Sequence, residues 1–228
     1  VQQVRHDPAT PGQEIARLLG LENVAFLDQV HGGAVLECTR DGLAGSADGL
    51  VTAAPGLALL GKSGDCPLIL IADRRRRAVG FAHASWRATV AGVTAAVVRR
   101  FVDLGCDPGD LVAFICPSAG PCCYEVGDEV RRAALEQMGP HAAAFFRSPG
   151  RPGSAPENGD AAARGGRLHF DLWRVNACVL ARAGLAGGSI HVAGVCTICR
   201  NDLFPSHRRE GDAAGRFAAV IGRLAPAR

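Results

Sequence analysis

The sequence of 228 residues predicts an α+β fold, with mixed β-sheets flanked by helices in a single domain over residues 1–228. Three observations carry this expectation. Strand-like runs cluster without intervening helices, helix-period segments are interspersed among them, and no regular βαβ alternation or internal repeat is present. A chain of this length can bury a full core. Its 48% hydrophobic content favours a compact globular protein.

The opening "VQQVRHDPATPGQ" is polar and loop-like, and "PGQEIARLLGL" reads as a helix with Ile15, Leu18 and Leu19 at helical spacing. "NVAFLDQVHGGAVLEC" gives two strand pieces around His31, Gly32 and Gly33, and residues 47–73 give two or three more. Arg74 to Arg77 read as an exposed turn before a further strand ending near His83. "VAGVTAAVVRRFVDLG" is an apolar-faced helix beginning near Val90. "LVAFICPSAGPCCYEVG" is a strand running into a Gly/Pro-rich loop, and "DEVRRAALEQM" is a helix capped by Asp128. Residues 147–167, rich in Gly, Pro, Ala and Arg, read as a mobile surface loop that contributes nothing to catalysis. "FDLWRVNACVLARAGL" is a helix, "SIHVAGVCTIC" a strand, and "GDAAGRFAAVIGRL" a closing helix.

Composition excludes several classes of function. The net charge of +3, with twelve aromatics and no basic face interleaved with them, does not suit a nucleic-acid partner. Lys62 is the only lysine, a bias that reflects genome composition rather than a ligand. No apolar run is long enough for a membrane span. Nine cysteines cannot pair completely, and no charged n-region with an apolar h-region opens the sequence, so reduced thiols in the cytoplasm are expected.

His31, Cys66 and His83 lie at the edges of strand-like segments beside small residues. Two imidazoles and a thiolate are suitable zinc donors, and three protein ligands leave a fourth position open for chemistry. Their separations of 35 and 17 residues are not local knuckle spacings. The same residues read as a buried thiol and two hydrogen-bonded histidines, and spacing does not decide between these readings. "CTIC" at 196–199 lacks a second CxxC and the HxE of zinc nucleobase deaminases, so Cys196 is expected to pack at a strand end. Cys122 and Cys123 are expected to be packing or pocket lining. Arg87 and Arg208 are candidate oxyanion forks. No phosphate loop, dinucleotide fingerprint or GxSxG is present.

Six motifs taken in order make the chain recognisable: "QVHG" at 29–32, "ADGLVT" at 47–52, "GDCPLILIAD" at 64–73, "HASWRA" at 83–88, "SAGPCCYEVG" at 118–127, and "CTICRNDLFPSHRREGDAAGRFAAVI" from 196. Together they resemble the YfiH-like, laccase-domain family, also called polyphenol-oxidase-like and regarded as purine nucleoside phosphorylases. The resemblance runs from about Asp28 to Ile221. It implies zinc held by His31, Cys66 and His83, which are also the catalytic residues. Arg87, with Arg208 second, is expected to hold the phosphate, and Gln29 to contact substrate or phosphate. The implied reactions are phosphorolysis of adenosine, inosine and methylthioadenosine, with adenosine deamination at the same site. The chain is expected to start after the family's N-terminal segment or to carry a divergent one. Ser85 and Ala88 stand where the family usually has glycines, and their added side chains beside His83 and Arg87 would narrow the pocket or shift Arg87; a histidine, His207, stands at a usual tyrosine. Two other enzymes are weighed. A cysteine hydrolase or amidase would use Cys66 and His83, since the family fold is shared with cysteine-dependent deamidases. A copper polyphenol oxidase would need many paired histidines, and none of the seven here forms an HxH pair.

Overall fold

The computed structural model describes residues 9–148 and 168–225. The elements run α1 (Ala9–Leu18), β1 (Asn23–Asp28), β2 (Val35–Glu37), β3 (Gly42–Ser46), β4 (Gly49–Thr52), β5 (Leu57–Ser63), β6 (Leu68–Asp73), β7 (Val79–His83), α2 (Trp86–Val90) and α3 (Val93–Asp103). They continue with β8 (Leu111–Ile115), β9 (Glu125–Val126), α4 (Asp128–Met138), β10 (Phe146–Arg147), β11 (Leu168–Phe170), α5 (Leu172–Arg182), β12 (Ile190–Val192), α6 (His207–Glu210) and β13 (Phe217–Gly222). The expected α+β class with mixed sheets is what the chain adopts. A six-stranded sheet has the order β12-β8-β6-β7-β4-β2, a four-stranded sheet the order β13-β5-β1-β3, and a small sheet the order β10-β11-β9.

Alternation along the strands explains the layering. Leu57 and Leu59 of β5 share a core with Leu68 of β6, and with Val79 and Phe81 of β7, so the two large sheets pack face to face. Ile69, Ile71 and Ala82 point the other way, into a core with Val97, Val98 and Phe101 of α3 and Leu180 of α5. Ala58 and Leu60 pack with Ala16 of α1 on the outer face of the four-stranded sheet. Both large sheets are therefore covered on both sides, which is why their strands read as unbroken apolar runs.

That double coverage overturns the expected C-terminal helix. Phe217, Ala219 and Ile221 pack into the core between the sheets, while Ala218 and Val220 pack on the α1 side. A strand half-buried on both faces shows no period of two, and its alanines mimic helix propensity. Pairing decides the outcome: β13 runs antiparallel to β5 from Phe217–Ser63 to Gly222–Ala58.

Smaller departures have local causes. The helix placed near Val90 starts at Trp86, because the Ser85 hydroxyl accepts from the Ala88 N–H at 3.1 Å; the chain then breaks at Gly92 (φ 82°) and α3 begins. Gly127, not Asp128, is the N-cap of α4, and Asp128 lies in its first turn, where a negative charge suits the helix dipole. In α1 the buried residue is Ala16, and Leu18 is 82% exposed. The strand expected over 189–199 is confined to Ile190–Val192. β3 was not anticipated, since "GLAGS" carries little β propensity; it pairs parallel with β1. Arg147 lies in β10, with Nη2 2.7 Å from Asp171 Oδ2. The rest of the predicted loop, 149–167, lies outside the described residues.

Candidate metal centre

One edge of the sheet pair gathers five chain segments. β1 and β5 are parallel, so their C-terminal ends emerge together, and β13 begins at that edge because it pairs antiparallel to β5. From there the chain crosses twice into the six-stranded sheet, through His31 between β1 and β2 and through Cys66 between β5 and β6. β7 ends at His83, which pairs with Leu68, the first residue of β6. The topology thus brings three residues distant in sequence to one place. The donor atoms of His31, Cys66 and His83 all lie within 4.8 Å of one another. The two imidazole rings meet edge-on, with centroids 5.1 Å apart.

Asp48, fully buried just before β4, organises this group. Its Oδ1 is 2.7 Å from His83 Nδ1, and its Oδ2 accepts from the Gly32 N–H at 2.6 Å. Nδ1 of His83 is thereby committed, and Nε2 is the nitrogen free to act as a donor. Burial alone would raise the Asp48 carboxyl, but the hydrogen bonds from His83, Gly32 and the His31 backbone hold it below the usual carboxylate range. The same bonds pin His31, which adopts the left-handed region at φ 61°. Asp48 sits in the quoted "ADGLVT", yet sequence reading assigned it no role. A buried acid one residue before a strand was the available signal.

Burial, reinforced by His83 and Arg87, lowers the pKa of His31, so its imidazole is neutral at neutral pH. Burial also pushes the Cys66 thiol up to about 12, with Asp65 and Asp48 adding to the effect. A thiol in that setting stays protonated unless a cation comes to it. Two imidazoles and a thiol that needs a cation make a set into which a divalent metal fits.

The three residues form part of the wall of a cavity of about 540 Å³, whose lining includes Gln29, Lys62, Gly64, His207 and Arg216. The Gln29 amide is spent on the Lys62 backbone, donating to its carbonyl and accepting from its N–H, both at 2.9 Å. Arg87 is not part of that lining; its guanidinium stacks 4.3 Å over the Trp86 ring, while its charge reaches His31. Arg208 donates through Nη1 to the Glu125 carbonyl at 2.7 Å and lies 5.2 Å from the Tyr124 ring centroid. Arg216 stands in the wall beside Lys62, and sequence reading missed it; its charge is felt by both His31 and Cys66. Ser85 and Ala88 do not narrow the cavity. Both are buried, Ser85 caps α2, and neither belongs to the lining.

Asp65, at φ 106°, turns its carboxylate away from the cavity. It accepts from Thr197 Oγ1 at 2.6 Å, Ser206 Oγ at 3.1 Å and the Arg208 N–H at 2.7 Å. Its role is to tie the 196–208 segment to the loop that carries Cys66. Cys122, Cys123, Cys196 and Cys199 do not line the cavity; they form a second convergence of donors, with their sulfurs all within 4.8 Å of one another. Among the described residues no helix is long and apolar enough to cross a membrane.

Comparison with known proteins agrees with this architecture. The family model described as multi-copper polyphenol oxidoreductase laccase matches residues 5–224. A purine nucleoside phosphorylase of Deinococcus radiodurans is 35% identical over 221 residues, covering 95% of this chain and 78% of that protein. Purine nucleoside phosphorylase YlmD of Geobacillus stearothermophilus is 31% identical, over 89% of this chain and 73% of its own. The crystal structure of the Bacillus licheniformis hypothetical protein YfiH superposes with a TM-score of 0.80 at 30% identity, covering 93% of this chain and 79% of that one.

Proposed function

The chain belongs to the multi-copper polyphenol oxidoreductase laccase family, and from that premise we propose that it is a zinc-dependent purine nucleoside phosphorylase that also deaminates adenosine. The observation that carries this reading is the meeting of His31, Cys66 and His83 at a cavity wall, in a chain whose relatives are named purine nucleoside phosphorylases. Adenosine, inosine and methylthioadenosine are the substrates, and the cavity volume suits a nucleoside with phosphate.

His31, Cys66 and His83 would hold the zinc, which would supply Lewis acidity and lower the pKa of a bound water. The chain's own residues do the rest. Asp48 holds the Nδ1 proton of His83 and so fixes the tautomer that offers Nε2. His31 stays neutral and retains its lone pair. Arg216 in the wall, with Arg87 near His31, supplies positive charge for phosphate. In phosphorolysis a phosphate oxygen bonds to the anomeric carbon as the glycosidic C–N bond breaks. The base leaves with that electron pair and takes up a proton. In deamination, water replaces the C6 amino group, which leaves as ammonia.

The donor chemistry disfavours the other readings. A laccase needs a type-1 copper and a trinuclear cluster, and the seven histidines contain no HxH pair. A cysteine hydrolase is the more serious rival, because Asp48, His83 and Cys66 line up as orienter, base and nucleophile. A thiol pushed up to about 12 is a poor nucleophile, which argues against it. Nine free cysteines suit a reducing compartment such as the cytoplasm. The test is phosphate-dependent release of base from adenosine under anaerobic conditions, with metal content measured on the same sample. Turnover that requires oxygen, or amide hydrolysis that survives metal removal, would replace this reading.

A further inference from the structure

We propose that Cys122, Cys123, Cys196 and Cys199 form a second metal site, a structural zinc held by four thiolates and separate from the His31, Cys66 and His83 group.

The four sulfurs come from two segments, the Gly/Pro loop after β8 and the turn after β12. All lie within 4.8 Å of one another; Cys123 Sγ and Cys122 Sγ are 3.3 and 3.6 Å from Cys199 Sγ. A tetrahedral zinc with bonds of about 2.3 Å holds its sulfurs about 3.8 Å apart, so the cluster needs little movement to close on an ion. A disulfide is a poorer account. It would join sulfurs at about 2.05 Å, whereas Cys199 Sγ stands 3.3 and 3.6 Å from Cys123 Sγ and Cys122 Sγ.

The backbone favours a thiolate at Cys196. The Gly120 N–H donates to Cys196 Sγ at 3.2 Å, and the Cys199 N–H does so as well. The Arg200 N–H closes the CxxC turn on the Cys196 carbonyl at 2.9 Å. Such N–H···S bonds offset negative charge on the sulfurs and orient them. Gly120 permits the approach of the two segments, since a Cβ there would meet the Trp173 ring at 2.7 Å and Cys196 Cβ at 3.0 Å. Around this point Ser118 and Cys196 form a single parallel bridge, too short to hold two loops by itself. Cys122 and Cys199 are exposed, so an ion can enter from solvent, and the thiol protons leave to solvent as it binds.

The consequence reaches the first site through Thr197, which lies between Cys196 and Cys199 and donates to Asp65, the neighbour of Cys66. The zinc clasps the loop that buttresses the cavity without touching substrate.

The experiment is zinc stoichiometry on the full chain purified with reductant and without chelator. Two zinc ions per chain are expected for the wild type, and one each for Cys199→Ser and Cys66→Ser. A stoichiometry unchanged by Cys199→Ser overturns the proposal, whereas one unchanged by Cys66→Ser overturns only the first-site reading. If Cys199→Ser does not fold, alkylation of the wild type with peptide mapping decides. All four cysteines should be protected until a chelator is added. Ready alkylation before chelation, or a disulfide between any two of them, would overturn the site.

Discussion

Asp48 and His83 meet through an Oδ1–Nδ1 contact of 2.7 Å, and both side chains are buried. The pair turns His83 into a donor of defined direction. Asp48→Asn should leave the fold largely intact and lower zinc affinity about 10–100-fold, the usual cost of losing such a partner. Competition with a chromophoric chelator measures this directly; equal affinity for both proteins would show that Asp48 does not orient His83.

The same carboxylate makes stability depend on pH. Its folded pKa is depressed, so the stability it contributes is present above its unfolded value of about 3.9 and is lost as pH falls through the lower folded value. In metal-free protein, the gap in urea midpoint between wild type and Asp48→Asn should close as pH falls below about 5. A gap that is constant down to pH 3 would contradict this assignment.

His31 titrates with a lowered pKa, because its charged form is disfavoured by burial and by neighbouring His83 and Arg87. Folding therefore loses stability as pH drops from about 6.5 toward the folded value, since the unfolded chain takes up the proton first. In metal-free protein, nuclear magnetic resonance of the His31 ring should give a midpoint below about 6.5. A midpoint above it would reverse the argument.

Cys66 should be inert when the metal is removed. With the thiol buried and pushed up to about 12, iodoacetamide at neutral pH should label it much more slowly than exposed Cys199 in the same stripped sample. Rapid labelling of Cys66 would restore the nucleophile reading. Cys66→Ser should lose most of the zinc at this site, because a neutral hydroxyl is a poor ligand.

Arg216 and Arg87 should separate the two activities. Arg216→Gln should raise the KM for phosphate roughly tenfold or more, by loss of a charge-assisted hydrogen bond, and should change deamination little. Arg87→Lys keeps the charge and loses the fork, and should likewise weaken phosphorolysis more than deamination. Steady-state kinetics with phosphate varied checks both; equal loss of the two activities would mean that these arginines shape the site rather than bind the anion.

Much of this was legible in the sequence for physical reasons. The buried strands, the amphipathic helix over α3, the small residues around His31 and the presence of soft donors are local properties, set by composition and period. The family and the three donors followed from six ordered motifs. Tertiary structure decided what depends on contact. β13 is a strand because it pairs with β5, although its residues read as helix. Cys122, Cys123 and Cys196, which read as packing or lining, converge with Cys199 because two loops meet at Gly120. Asp48 and Arg216 acquired their roles only when parallel β1 and β5 brought their ends to one edge of the sheets. Local pattern reports which side chains avoid water; which of them touch is fixed by pairing and layering, and neither of these has a period in the chain.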